Sequence, residues 1–527
     1  LSGDISKTNV SNLPDDQFGR LSPFPKKAQG LSRLGFFGGF LSAKEEGMND
    51  RVSPIAGFFS SPIFALSGLL GLLLFPVCSR AVEEKAARPN ILMIMSDDQG
   101  WGDTGYNGNR EVQTPNLDRL AASSVRFDNG YVTAPQCIPS RAGLMLGRYQ
   151  QRYGLECQPD EKYFGTYHLP KGVSTLPEEL RKAGYRTGLV GKWHLGEPLE
   201  SQPFRRGFEW CAYFRGGMGF QYATDGRHTM FRNERDEVIP VGPDEYLVEV
   251  FTRKAMEFLE QKDERPFFLN LSYYPPHWPM EAPARYLEKY QHIRDPHRRT
   301  ACAMITSLDD AIGEILGHLQ KSGRGKNTLV VFFSDNGAPF YSSQGLMPIK
   351  VGENASSNGI LSGWKGTLLE GGIRVPFLMS WPGRLPKGEA VSWPVSTLDL
   401  TPTFLAAAGA PPLKGADGVD LLPYLEPKIS NQGPDRALFW RFHTQWCREE
   451  AVRRGRWKWV SASLPKGQPA LFNITEDPSE KKNRVAEYPE IATSLRKEFD
   501  EWNKKLANPK WVTLQPVRAK SNFSDPE

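Results

Sequence analysis

Asn90-Ile91-Leu92-Met93-Ile94-Met95-Ser96-Asp97-Asp98 decides how the rest of the chain reads: five consecutive apolar side chains closed by a pair of acids. A run this short and this uniformly apolar suits a strand covered on both faces, and the acids mark where it leaves the sheet. The same theme returns at residues 185–190, 266–272, 328–333 and 375–380. Helical patterns lie between the runs. Residues 115–122 have Thr114 as a cap and Pro115 at the first helical position, and residues 246–261 and 301–320 repeat apolar side chains at helical spacing. Alternating strands and helices predict an α/β fold, a mainly parallel mixed sheet sandwiched by helices, over residues 88–430. From about residue 436 the chain turns aromatic and strand-like, with Trp440, Phe442, Trp446, Trp457 and Trp459 ahead of Asp477-Pro478 and a last helix. A smaller C-terminal α+β domain with an antiparallel sheet is therefore expected over residues 431–527.

A chain of 527 residues has room for two such domains, at roughly 100 to 200 residues each. Its formal charge of +5 is small against 65 basic and 60 acidic residues, and no long basic block is present, so nothing points to nucleic acid as a partner. Residues 58–77 form the one segment apolar enough to suggest a membrane. A possible start at Met48, then Arg51, the apolar run and the small residues of Ser79-Arg80-Ala81 fit a signal peptide cleaved near Ala81. Residues 1–87 thus read as an upstream extension and signal peptide, and the mature protein as secreted or periplasmic with no stable membrane anchor. Of six cysteines, Cys78 falls in that segment and the other five show no spacing typical of zinc. Export would permit disulfides among Cys157, Cys211, Cys302 and Cys447 without fixing a pairing.

Ligands of open α/β sheets bind beyond the carboxyl ends of the strands, so the polar residues after each run are the candidates. Four runs deliver them: Asp97-Asp98, then Lys192 and His194, then His277, then Asp335-Asn336. An acid pair is usually a solvated turn and a single histidine usually a packing residue, but four coincident strand ends favour a site. Adjacent carboxylates repel unless a cation neutralises them. Asp97, Asp98, Asp335 and Asn336 offer hard oxygen donors, which favours calcium first, then magnesium, over zinc. The glycines of Arg215-Gly216-Gly217-Met218-Gly219 lack the strand-to-helix context of a phosphate loop.

Cys137-Ile138-Pro139-Ser140-Arg141 matches a Cys-x-Pro-Ser-Arg element and resembles the signature of the type I sulfatases of the alkaline phosphatase superfamily, the arylsulfatases and N-acetylgalactosamine-6-sulfatases among them. Further blocks follow in family order: Asp97-Asp98-Gln99-Gly100-Trp101-Gly102, Gly191-Lys192-Trp193-His194-Leu195-Gly196, Ser334-Asp335-Asn336-Gly337, and Lys365-Gly366-Thr367 through Glu370-Gly371-Gly372-Ile373-Arg374-Val375-Pro376. One departure is Leu144-Met145-Leu146-Gly147-Arg148, where the family often has Leu-Thr-Gly-Arg. The resemblance implies an alkaline phosphatase-like fold and a sulfuric ester hydrolase. It also implies that a formylglycine-generating enzyme oxidises Cys137 to formylglycine (3-oxoalanine), one hydroxyl of whose hydrate attacks sulfur while the other later drives out sulfate.

The same resemblance assigns one calcium ion to Asp97, Asp98, Cys137, Asp335 and Asn336. Arg141 and Lys192 would hold the hydrate, His194 would take the proton that triggers release, and His277 with Lys365 would neutralise the leaving oxygen. A helix opening at Pro139 and running to Leu146 would set residue 137 near its N-terminus. The implied substrate is a sulfated carbohydrate, with Trp278, residues 214–228 and residues 440–446 as specificity candidates. Two alternatives remain: a phosphate or phosphonate ester hydrolase of the same superfamily, and a non-catalytic carbohydrate-binding relative.

Overall fold

A computed structural model describes residues 87–163, 165–214, 221–222, 230–232, 237–340, 355–444, 447–461 and 468–512. The apolar segment at residues 58–77, the glycine stretch from Arg215, His228 and Trp446 lie outside the described residues.

The opening run forms the strand Asn90–Ser96. Because successive side chains of a strand point to opposite faces, Ile91, Met93 and Met95 enter one core while Leu92 and Ile94 enter another. The strand Thr328–Ser334 divides likewise, with Leu329, Val331 and Phe333 on the first face and Val330 and Phe332 on the second. Helices cover both faces. Leu247–Leu259, Pro115–Ala122 and the second half of Pro296–Lys321, from Leu308 on, place their buried apolar residues in the second core. Cys137–Leu146, Leu176–Lys182 and Leu400–Ala407 place theirs in the first. Each fully buried Leu, Ile or Phe contributes roughly 1.5–3 kcal/mol, which is why both faces must be covered before the sheet is stable.

Ten strands form the sheet, in the order Ala390–Val391, Val125–Phe127, Phe377–Ser380, Thr328–Ser334, Asn90–Ser96, Phe267–Ser272, Arg186–Lys192, Trp210–Phe214, Met230–Arg232 and Glu237–Ile239. The five strands from Thr328–Ser334 to Trp210–Phe214 are parallel. Register aligns their ends, pairing Met95 with Ser272 and Ser96 with Ser334. The acids and histidines that follow these strands therefore emerge at one edge.

Phe377–Ser380 runs antiparallel to its neighbour instead of continuing the parallel series. A parallel return needs a crossover to the far end of the sheet. Here the chain stays at the site edge, where the Gly337 amide donates to the Gly372 carbonyl at 3.1 Å. The strand Trp210–Phe214 is not among the expected strands: a lone five-residue apolar run between turns reads alike as strand or buried loop. The long helix begins five residues before the apolar pattern, at Pro296, where Asp295 Oδ1 accepts the His297 and Arg298 amides at 2.7 and 3.1 Å.

The C-terminal sheet is antiparallel throughout: Ala437–His443, Arg448–Arg454, Trp457–Ser461 and Ala470–Asn473. Leu495, Phe499 and Trp502 of the helix Pro489–Asn503 pack on Val452, Trp459 and Leu471. Trp440 faces the other way, 2% exposed, and its Nε1 donates to the Val132 carbonyl at 2.8 Å. Trp440 is a core residue and not the specificity contact expected of it. The described cysteines Cys137, Cys157, Cys211, Cys302 and Cys447 are all free thiols. No helix among the described residues is long and apolar enough to cross a membrane.

Candidate active site

The helix expected from Pro139 begins two residues earlier, at Cys137, after Gln136 in extended conformation. Proline is tolerated anywhere in the first turn, where its missing N–H has no helical partner to lose. Cys137 is thus in the first turn, and Arg141, four residues on, lies on the same face. The Cys137 Sγ donates to Asp97 Oδ1 at 3.5 Å. Burial first, and then the Asp335 charge, push the thiol pKa far up, so the encoded side chain is a neutral thiol and a poor nucleophile as it stands.

Arg141 is fully buried and ties three strand ends together. Its Nε donates to Asp335 Oδ2 at 2.8 Å, and its Nη1 to Ser272 Oγ at 2.8 Å and the Lys192 carbonyl at 3.1 Å. Its Nη2 lacks a hydrogen-bond partner and stands 3.8 Å from Asp97 Oδ2. Lys192 Nζ donates to Asp97 Oδ2 at 2.5 Å and Lys365 Nζ to Asp98 Oδ1 at 2.6 Å. Asn336 Nδ2 reaches Asp98 Oδ1 at 2.7 Å, and the Asp98 amide reaches Asp335 Oδ1 at 3.2 Å.

Burial alone would raise both aspartate pKa values. Lys192 and His277 hold Asp97 below the usual range, and Lys365 and His277 do so for Asp98. Lys365 is raised well above its ordinary value because the Asp98 charge outweighs its own burial.

Two local backbone features aim these groups. Asp98 and His194 adopt positive φ, 63° and 58°, a region side chains other than glycine enter only when their surroundings impose it. Gly191 has φ 94°, and a Cβ there would lie 1.9 Å from the Ser272 carbonyl oxygen, so only glycine lets the Lys192 strand approach this closely.

His194 is held neutral, by burial first and then by Lys192 and Arg141, and its Nδ1 is buried without a partner. His277 Nδ1 lies 2.5 Å from the Trp278 carbonyl, which only accepts, so Nδ1 carries the proton. Its Nε2 then faces Asp98 Oδ2 at 3.8 Å. Burial lowers its pKa, with Lys192 and Lys365 assisting and Asp97 and Asp98 opposing.

The donor set fits a hard cation. Asp97, Asp98, Cys137 and His277 each bring a ligand-type atom within 4.8 Å of the others. Asn336 Oδ1 is buried beside them with no hydrogen-bond partner, which an oxygen ligand of a cation would be.

All ten sequence-predicted site residues, Asp97, Asp98, Cys137, Arg141, Lys192, His194, His277, Asp335, Asn336 and Lys365, are gathered at this edge. Sequence reasoning missed Ser272, which positions Arg141. Its one signal is a hydroxyl at the last position of a strand in the parallel series. His443 lies elsewhere, between Glu156 and Glu450, with Nε2 3.3 Å from Glu450 Oε1.

Comparison with known proteins agrees with this geometry. The Sulfatase family profile matches residues 89–410, and the profile for the C-terminal part of N-sulphoglucosamine sulphohydrolase matches residues 363–505. N-acetylgalactosamine-6-sulfatase of Homo sapiens is 34% identical over 375 residues, covering 67% of this chain and 68% of that protein. Arylsulfatase J of Mus musculus is 30% identical over 495 residues, covering 82% and 77%. The crystal structure of Ps i-CgsB in complex with k-i-k-neocarrahexaose superposes with a TM-score of 0.73 at 29% identity, covering 81% of this chain and 95% of that one. A phosphonate monoester hydrolase of Agrobacterium radiobacter shares the fold, with a TM-score of 0.58 at 21% identity over 80% and 96% of the two chains. With its Cys137 signature, its strand-end acids and a family match across most of its length, this chain belongs to the sulfatase family and is a sulfuric ester hydrolase.

Proposed function

We propose that the protein removes sulfate from a sulfated carbohydrate, with Cys137 matured to formylglycine by a formylglycine-generating enzyme and one calcium ion bound beside it. The observation that carries this reading is the convergence of three acids, three cations and two neutral histidines on Cys137 within a sulfatase chain. The carbohydrate is supported by the names of the relatives, an N-acetylgalactosamine-6-sulfatase and a protein crystallised with k-i-k-neocarrahexaose. Asp97, Asp98, Asp335 and Asn336 would hold the cation, next to residue 137. When bound, calcium screens the acids and favours an ionised oxygen, and formylglycine supplies that oxygen as an aldehyde hydrate.

The chain's own residues do the remainder. Arg141, Lys192 and Lys365 supply fixed positive charge for sulfate oxygens from buried or largely buried positions, where such charge is worth far more than in solution. His194, held neutral, is ready to accept a proton at an unpartnered nitrogen. His277 offers Nε2 at the acid edge. The negative charge of a bound sulfate ester raises the proton affinity of His277 and suits it to protonate the leaving oxygen.

The apolar segment at residues 58–77 supports export, to a secreted or periplasmic location, and the ten-stranded and four-stranded sheets support a catalytic domain over residues 88–430 with a C-terminal domain over 431–527. Turnover of matched sulfate, phosphate and phosphonate esters, followed by a sulfated-glycan screen, tests the reading. Sulfate esters are expected to be turned over at least a hundredfold faster, about 2.7 kcal/mol of discrimination. A phosphate or phosphonate preference would overturn it.

A further inference from the structure

Five large hydrophobic side chains are exposed among the described residues: Leu199, Val238, Trp278, Phe340 and Ile360. Scattered single exposures are normal and need no cause. Three of these five, however, sit on segments that leave the active site. Trp278 follows His277. Phe340 lies four residues past Asn336. Ile360 follows Gly359, whose Cα position packs against Gly102, and Gly102 takes a 3.0 Å hydrogen bond to the Ser357 carbonyl.

Phe340 is not alone. Its ring meets that of Trp364 with centroids 4.7 Å apart and planes inclined by 32°. Trp364 immediately precedes Lys365, whose amine is held on Asp98. The two segments are pinned side by side. The Lys365 amide donates to the Ala338 carbonyl at 2.9 Å. Asn358, nearly fully buried, accepts the Ala338 amide at 2.9 Å and donates to the Ala338 and Gly363 carbonyls at 3.2 and 3.1 Å. Thr367 Oγ1 closes the turn by accepting the Trp364 amide at 3.0 Å and donating to its carbonyl at 2.9 Å. Two aromatic rings are therefore fixed relative to the site by the same hydrogen bonds that place Lys365, and one of them stands in solvent.

We propose that Phe340 and Trp364 form a stacking platform for a pyranose ring of the substrate. This rests on the sulfated-carbohydrate reading above. A sulfate held by Lys365 and Arg141 leaves the rest of its ester at the rim that Trp364 and Phe340 border. A pyranose presents one face of C–H groups and an edge of hydroxyls, so it needs an apolar plane beside a polar pocket, which is what the pair beside Lys365 provides. Apolar side chains gathered at the mouth of a charged site mark a ligand surface better than the same side chains dispersed.

The test uses the full chain with Cys137→Ser, which binds without turnover, and measures by calorimetry the affinity for six-ring sulfated galactan and chondroitin fragments and for inorganic sulfate. The readout is the ratio of oligosaccharide to sulfate affinity. Phe340→Ala and Trp364→Ala are expected to lower that ratio about tenfold each, the scale of one aromatic contact, and Phe340→Trp to restore it. An unchanged ratio, or oligosaccharide and sulfate affinities falling together, would overturn the platform. Failure of the parent to bind any of the oligosaccharides, while aryl sulfates are still hydrolysed by the matured enzyme, would instead overturn the carbohydrate reading on which the platform depends. A steroid or alkyl sulfate bound in preference, with the same loss on Phe340→Ala, would assign the surface to an apolar ester and overturn the pyranose.

Discussion

Replacing Lys192 with Met should make the folded protein depend on calcium. Lys192 Nζ is fully buried, 2.5 Å from Asp97 Oδ2, and the next cationic atom to that oxygen is Arg141 Nη2 at 3.8 Å. Met keeps the volume of the stem and removes only the charge, so Asp97 becomes a buried carboxylate left with the distant Arg141 Nη2 and the weak Cys137 thiol donor. Breaking a buried pair from one side costs about 3–5 kcal/mol, nearly all of it the desolvation of the charge left behind. For a chain of this size the unfolding entropy is on the order of 1 kcal/mol per degree, so the cost corresponds to a fall in Tm of about 3–5 °C in a chelating buffer. A cation on Asp97 and Asp98 supplies the missing positive charge and binds only the folded state, so millimolar calcium should return most of that loss. The assay is differential scanning calorimetry of parent and Lys192→Met, each with chelator and with calcium. The expected result is a calcium-induced rise in Tm several degrees larger in the variant. Equal calcium responses in the two proteins, or an undiminished Tm of the variant in chelator, would refute the placement of the cation at these acids.

Gly191→Ala puts a Cβ 1.9 Å from the Ser272 carbonyl oxygen at φ 94°, so it should lower Tm by several degrees and activity at least tenfold, read by calorimetry and aryl sulfate turnover. Trp440→Phe keeps the packing but orphans the Val132 carbonyl, at about 1–3 kcal/mol in denaturant unfolding, with sulfatase kcat/KM little changed because the ring reaches no ligand. Glu480 shares the buried Lys458 with Glu370; burial first and then the Glu370 charge raise its pKa from 4.5 to about 7 against the pull of Lys458. A raised carboxyl pKa means the folded state holds the proton more tightly, so this contribution is complete below pH 4.5 and is lost as pH climbs through about 7. That amounts to about 3 kcal/mol at most. Tm measured from pH 5 to pH 8 should fall less in Glu480→Gln than in the parent, and parallel curves would sink the assignment.

Much of this was legible in the sequence because the signal was local. The runs at residues 91–95 and 328–333 are apolar without interruption since helices cover both faces, and each is a strand of the central sheet. The polar residues that follow them sit at one edge because parallel strands end together, so Asp97, His194, His277 and Asp335 could be nominated as a set before any contact was known. Trp210–Phe214 stayed hidden since a short apolar run between turns reads alike as a strand or as a buried loop. Trp440 misled because an aromatic residue in a strand-like segment reads alike whether it meets a ligand or the Val132 carbonyl. The start of the signature helix at Cys137 was obscured by Pro139, which is compatible with any position of a first turn. Lys365 was nominated by family resemblance alone, because no strand end announces it. Asn358 and Ser272 act through partners 20 and 131 residues away in sequence, and no local pattern encodes such pairings.

The central claim is that residue 137 works as an oxidised derivative of the encoded cysteine. Peptide mass spectrometry across Cys137, on enzyme co-expressed with a formylglycine-generating enzyme and assayed in parallel for sulfate release, tests it directly. Activity is predicted to scale with the fraction of peptide carrying an aldehyde in place of the thiol, and Cys137→Ser made in a host that oxidises only cysteine is predicted to be inactive. Full sulfatase activity from protein whose residue 137 is an unmodified thiol would contradict it.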